Sequence, residues 1–66
     1  MVVMVDHWVA KATNGGDILR ISFDGRAIMD LHLDNLPLAG MVKKVENLLT
    51  ALTCPIEFIV RVIAQL

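Results

Sequence analysis

Apolar and polar residues alternate along the first run of the chain, Val2 to Thr13. One parity carries Trp8, Ala10 and Ala12, and the other carries His7, Lys11 and Thr13. Such alternation predicts a strand with one buried face. The Asn14-Gly15 pair that follows favours a two-residue type I′ turn. That turn would pair Ala10 with Leu19 and Trp8 with Ile21, which places apolar partners on one face.

A second turn is predicted around Asp24 and Gly25. A two-residue loop there would put the apolar residues of the third strand on the wrong face. The pattern therefore favours a three-residue loop, 23–25, with a bulge at Gly25. That loop pairs Ile21 with Ala27 and Leu19 with Met29.

The apolar period changes from about two to about 3.6 at Leu38, which predicts an amphipathic helix. Its apolar stripe consists of Leu38, Met41, Val42, Val45, Leu48, Leu49 and Leu52. Asn35 or Leu36 would cap the helix, with Pro37 in the first turn. Cys54-Pro55 would end it, because a residue that precedes proline avoids the α region.

The last segment, Ile56 to Leu66, fits two interpretations. Glu57, Arg61 and Gln65 are four apart, as in a helix, whereas every even position is apolar, as in a strand. Three isoleucines, two valines and a phenylalanine favour the strand. We therefore expect one α+β domain over residues 1–66 with the order β-β-β-α-β. Its four-stranded, mostly antiparallel sheet would have strand order 3-2-1-4, with the helix across one face.

The composition provides more apolar residues than a fold of this size can bury. The chain has 66 residues, of which 56% are hydrophobic, and a domain of about 60 residues buries only about 60% of its unfolded surface. The surplus predicts self-association, through the outer sheet face or through the edge of the C-terminal strand. The predicted interface residues are Val9, Ile18, Ile28, Ile59 and Ile63.

Charge and cysteine content narrow the class of protein. A net charge of −1 gives no basic footprint for nucleic acid. The single cysteine, Cys54, excludes an internal disulfide and favours a cytoplasmic protein. We find no signal peptide, and the C-terminal apolar stretch is too short to span a bilayer.

One cluster could carry chemistry. Asp30, His32 and Asp34 alternate on a predicted strand, so the imidazole and both carboxylates would share a face. They could bind a metal ion if another ligand joined them. The same alternation is also typical of an ordinary half-exposed strand.

These observations favour a non-enzymatic protein-interaction or regulatory module without a cofactor. The expected assembly is a homodimer or a higher oligomer, and another protein partner is a further option. The alternative function is small-ligand or metal binding at Asp30, His32 and Asp34.

Overall fold

The computed structural model describes the backbone of residues 1–66 and every side chain except that of Asn14. Four strands are followed by two helices. The strands are β1 (Val2–Val5), β2 (Trp8–Thr13), β3 (Ile18–Phe23) and β4 (Arg26–His32), and the helices are α1 (Leu38–Ala51) and α2 (Ile56–Ala64). The fold class is α+β, as predicted, but the predicted order of the elements is wrong.

The sheet is an antiparallel meander with order β1-β2-β3-β4. The predicted order 3-2-1-4, with a parallel C-terminal strand, is wrong. Residues 56–64 form a helix, and the fourth strand comes instead from a turn inside the predicted first strand. Val5 pairs with Trp8 across Asp6 and His7, and Asp6 adopts a positive φ of +53°.

This extra turn changes which residues face the core. Val3 pairs with Ala10, so Val3 and Val5 lie on the buried side of the sheet. In a single unbroken strand their parity would place them on the outer face. The turn reverses the direction of the chain and so transfers them to the core.

The β2–β3 register differs by two residues from the predicted one. Ala10 pairs with Ile21 and Ala12 with Leu19, because the connection is a longer turn with Gly15 and Gly16 at positive φ. Since the side-chain period of a strand is two, a shift of two residues leaves each side chain on its predicted face.

The β3–β4 turn is the two-residue loop that the sequence argument rejected. Asp24 and Gly25 both have positive φ, +52° and +81°, as a type I′ turn requires. A bulge then shifts the register, so that Ser22 pairs with Ala27 but Ile21 pairs with Met29. The bulge inserts one extra residue, Ile28, so that the residues from Met29 onward lie on their predicted faces of the sheet. The predicted loop would have placed the extra residue at Gly25 instead.

Helix α1 buries the centre of the predicted apolar stripe, with Val45 and Leu49 fully buried, but Leu38 at its start is 57% exposed. The helix has Pro37 as its N-cap, so the predicted cap at Asn35 or Leu36 is wrong. At its end the Cys54 N–H donates to the Leu49 carbonyl and the Thr53 N–H to the Thr50 carbonyl, both at 3.0 Å. These two bonds form a Schellman motif. Thr53 supplies the left-handed residue, with φ +57°, at a position where glycine is usual.

Helix α2 replaces the predicted C-terminal strand. Pro55 is its N-cap, and Glu57 and Arg61 form an ion pair at 3.4 Å, one turn apart. The even positions do not form one face, because Phe58 and Val62 are fully buried while Ile56 and Val60 are 78% and 58% exposed. Helical periodicity therefore outweighs the β propensity of the segment.

Both helices cover the same face of the sheet. The core lies between the layers and is formed by Val3, Val5, Ala10, Leu19, Ile21, Leu31, Leu33, Val45, Leu49, Cys54, Phe58 and Val62. Trp8 closes one end of it, with its ring centroid 4.8 Å from that of Phe23 and 6.0 Å from that of Phe58. The other face of the sheet has no helix over it.

Candidate functional site

The face of the sheet away from the helices, which we call the open face, is organised in cross-strand rows. The central row runs from Val2 through Lys11 and Arg20 to Asp30. The row nearer the Asp24-Gly25 turn contains Met4, Val9, Ser22 and Ala27, and the far row contains Thr13, Ile18 and His32. Apolar residues therefore predominate on β1 and the ion-paired residues lie toward β4, while Lys11 lies between them, directly opposite Val2.

The apolar part lies on β1 and β2 and consists of Val2, Met4 and Val9, which we call the apolar corner. The side chains of Val2 and Met4 are 57% and 62% exposed, and Val9 is half-buried. Val9 pairs directly with Met4, and Val2 lies one row away. Three neighbouring apolar side chains are thus left open to water at one edge of the sheet.

The charged part is centred on Arg20 and Asp30. The guanidinium donates from Nε to Oδ1 at 2.8 Å and from Nη2 to Oδ2 at 2.9 Å, a bidentate geometry that favours both charges. Hydrogen bonding from Arg20 lowers the pKa of the Asp30 carboxyl, and the same bonds raise the pKa of the guanidinium. Lys11 lies beside Arg20 in the same row.

The predicted metal-binding residues do not come together as a ligand set. Asp30 and His32 share the open face, but both oxygens of Asp30 are held by Arg20. Asp34 lies beyond the end of β4, in a turn. Among the side chains that the structure describes, no three His, Cys, Asp or Glu residues are placed to hold a metal ion.

The predicted interface residues divide into two groups. Val9 and Ile18 lie on the open face, and Ile28 is the exposed extra residue of the β4 bulge. Ile59 and Ile63 do not belong with them, because they lie on α2 and pack partly against the core. Their assignment to the outer face of the sheet is wrong, because the segment that contains them is a helix and not the predicted C-terminal strand.

Sequence analysis missed two contacts at the edges of the sheet. Lys44 Nζ donates to the His32 carbonyl at 2.8 Å, and Arg61 Nη1 donates to the Met4 carbonyl at 3.4 Å. Each basic side chain thus reaches from a helix to a backbone carbonyl of an edge strand. The predicted order 3-2-1-4 already places the strand observed as β4 at an edge, and the helix period places Lys44 on a polar face. Neither predicts that Lys44 contacts that strand, and only the observed topology identifies β1 as the other edge.

Two further features lie outside the open face. Cys54 is buried, and this burial raises the pKa of its thiol, which disfavours the reactive thiolate. A cavity of about 470 Å³ opens at the end of the sheet near Gly15 and Gly16. Its polar side chains are Thr13 and Gln65, and the Thr13 hydroxyl already donates to the Ile18 carbonyl.

Neither helix of the described chain is long and apolar enough to cross a membrane. Comparisons with protein-family models, with curated proteins and with solved structures find no significant match to this chain.

Proposed function

We propose that this chain is a small non-enzymatic protein-interaction or regulatory module that self-associates through the open face of its sheet. The observation that carries the proposal is the apolar corner, Val2, Met4 and Val9, on a face that no helix covers. Exposed apolar clusters bordered by polar residues are typical of interaction sites.

The arrangement of this face supports a second copy as the occupant. The apolar corner lies on one side of the sheet, at β1 and β2, and the Arg20–Asp30 ion pair lies on the other. A twofold axis next to the corner would join two corners into one apolar centre with charges around it. An apolar core with a polar rim is the usual anatomy of a protein interface.

The ion pair favours burial of the surrounding face. Because Arg20 and Asp30 neutralise each other through two hydrogen bonds, the face that they share presents less net charge for a partner to desolvate. A paired charge is less costly to cover than an isolated one.

The proposed location is the cytoplasm. Cys54 is a free, buried thiol, and small domains in oxidising compartments usually depend on disulfides. The proposal includes no cofactor and no nucleic-acid partner.

The test compares two valines of equal exposure. Val2 is 57% exposed on the open face, and Val60 is 58% exposed on the outer side of α2. The solution mass of the wild type, Val2→Lys and Val60→Lys would be measured by light scattering over a dilution series. We expect a dimer or larger species for the wild type and for Val60→Lys, and at least about tenfold weaker association for Val2→Lys, since a buried unpaired charge costs well over 1.4 kcal/mol.

Other outcomes would overturn the proposal. A wild type that is monomeric throughout the series would leave the open face for a different protein. Dissociation by Val60→Lys but not by Val2→Lys would move the interface to α2.

A further inference from the structure

One basic side chain bonds to a backbone carbonyl at each edge of the sheet. An edge strand offers unpaired N–H and C=O groups that can pair with another strand. At β1, Arg61 approaches the Met4 carbonyl at 3.4 Å, and at β4, Lys44 donates to the His32 carbonyl at 2.8 Å. The shorter bond lies on the longer strand, since β4 has seven residues and β1 has four.

The end of β4 beyond its bulge has the geometry of a strand-pairing edge. Leu31 pairs with Leu19, and Asp30 and His32 flank it along the strand. Alternate residues of an antiparallel strand direct their backbone polar groups to opposite sides. The Leu33 N–H donates to the Asp17 carbonyl at 2.8 Å, toward the β3 side, and the His32 carbonyl accepts from Lys44. Because the direction alternates, Asp30, two residues from His32, also directs its backbone groups toward the free edge.

We propose that the Asp30–His32 edge of β4 is a strand-pairing surface for the same segment of a second copy, and that Lys44 holds it closed. The two segments would run antiparallel about a twofold axis at Leu31. Asp30 of each copy would then lie opposite His32 of the other copy. Both side chains lie on the open face, because they pair with Arg20 and Ile18 of β3, and an imidazole directly opposite a carboxylate can donate a hydrogen bond to it, which stabilises a pair of strands.

Other antiparallel registers lack this complementarity. An axis at Asp30 places the two Asp30 carboxylates opposite each other. An axis at Ile28 or at Met29 places the bulge inside the pairing. Arg26 would then lie opposite Asp30 in the first case and opposite His32 in the second. Arg26 pairs with Phe23 on the helix side, so its side chain would lie on the wrong face. The register centred on Leu31 avoids each of these conflicts.

This inference is independent of the proposed open-face dimer, because it uses backbone groups at an edge and not side chains of the apolar corner. The test is Lys44→Met, with Lys43→Met as the matched control. Both lysines are exposed on α1, both changes remove one positive charge, and Lys44 alone of the two makes a hydrogen bond among the side chains described.

Light scattering over a dilution series should show association about tenfold tighter in Lys44→Met than in the wild type, since pairing displaces two lysine contacts. Lys43→Met should match the wild type. Amide exchange should slow at Asp30 and His32 in the assembled Lys44→Met protein, because those amides become paired. Equal association in the two variants, or unprotected amides at Asp30 and His32, would overturn the inference.

Two double variants identify the surface that Lys44→Met exposes. His32→Glu in the Lys44→Met background places like charges opposite each other and should reverse the added association. Val2→Lys in the same background should leave the added association intact. Reversal by Val2→Lys would show that Lys44→Met acts through the open face, and would overturn the edge pairing without deciding on the open-face dimer.

Discussion

The two faces of the sheet are built from the same strands, but one face is buried in the core and the other is exposed to water. On the covered face, Ala10, Leu19 and Ile21 are at most 1% exposed, whereas Val2 and Met4 on the open face are more than half exposed. Both faces carry aliphatic residues, so apolar content alone does not decide which becomes the core. Strand alternation sorts residues into two sets, and the position of the helices selects the set that is buried.

Polar chemistry follows the same division. Among the side chains that the structure describes, no polar or charged residue is buried, so the covered face is held by packing alone. The open face carries Arg20, Asp30, Lys11 and His32. A ligand or partner that requires polar contacts from the sheet would therefore have to use its open face or its edges.

The largest effect is expected from matched isoleucines on opposite faces of β3. Ile21 is fully buried and Ile18 is half-buried on the open face. Ile21→Ala should lower the free energy of unfolding by about 2–5 kcal/mol, because it leaves a cavity in the core. Ile18→Ala should cost about 1 kcal/mol or less, since it removes only partly buried surface. Urea unfolding followed by circular dichroism measures both.

The difference in stability between Ile21→Ala and Ile18→Ala should depend on protein concentration. Below the dissociation constant of an open-face dimer, the difference between the variants should be greatest. A cost for Ile18→Ala that equals that of Ile21→Ala at every concentration would contradict the distinction between the two faces.

A smaller effect is expected at the joint between the helices. Thr53 holds a left-handed conformation that a β-branched residue disfavours. Thr53→Gly should raise the free energy of unfolding by about 1 kcal/mol, because the relief of strain exceeds the added entropy of the unfolded chain. Thr50→Gly, inside α1, should lower it by about 0.3 kcal/mol, the difference between the helix propensities of glycine and threonine. Thermal unfolding would show shifts of opposite sign, and a loss for both variants would contradict the strain at Thr53.

The smallest effect is expected from the ion pair of the open face. The pKa of Asp30 is lowered by its hydrogen bonds from Arg20. A lowered folded pKa contributes stability above the unfolded value of about 3.9, and that contribution is lost as pH falls through the folded pKa. Arg20→Met should abolish this acid dependence and return the Asp30 pKa toward about 3.9.

An NMR titration of the Asp30 carboxyl measures this shift directly. Arg26→Met is the control, because Arg26 forms no ion pair among the described side chains. An unchanged Asp30 pKa in Arg20→Met would mean that the bidentate contact does not persist in solution.

The sequence predicts the inward-facing sets of β2, β3 and β4 better than it predicts their turns. Ala10, Leu19 and Ile21 face the core as expected, although the β2–β3 register and the β3–β4 register beyond the bulge are each shifted by two residues. Ala27 is the exception, because it pairs with Ser22 on the open face and not with Ile21. Parity depends on many side chains and is therefore robust. The turn depends on a few residues, and a bulge at Ile28 can correct the facing elsewhere in the strand.

The turn at Asp6 and the helix α2 were missed for different physical reasons. His7 fits the polar parity of a continuous strand, whereas Asp6 falls on the apolar parity of Trp8 and Ala10, and this single misplaced residue, with no glycine beside it, was not interpreted as a turn. In α2, a period of two and a period of four coincide at Phe58 and Val62, so only tertiary packing distinguishes them. Within the candidate site, Val9 and Ile18 were found from parity, whereas Val2 and Met4 depend on the undetected turn.

The meander has a consequence for how fast the chain folds. Every strand pairs with its neighbour in sequence, so sheet formation closes only short loops, and such topologies fold quickly. The contact between Arg61 and Met4 joins residues 57 apart. We therefore expect docking of α2 onto β1 to be the late step, with the hairpins formed first and the C-terminal helix completing the core.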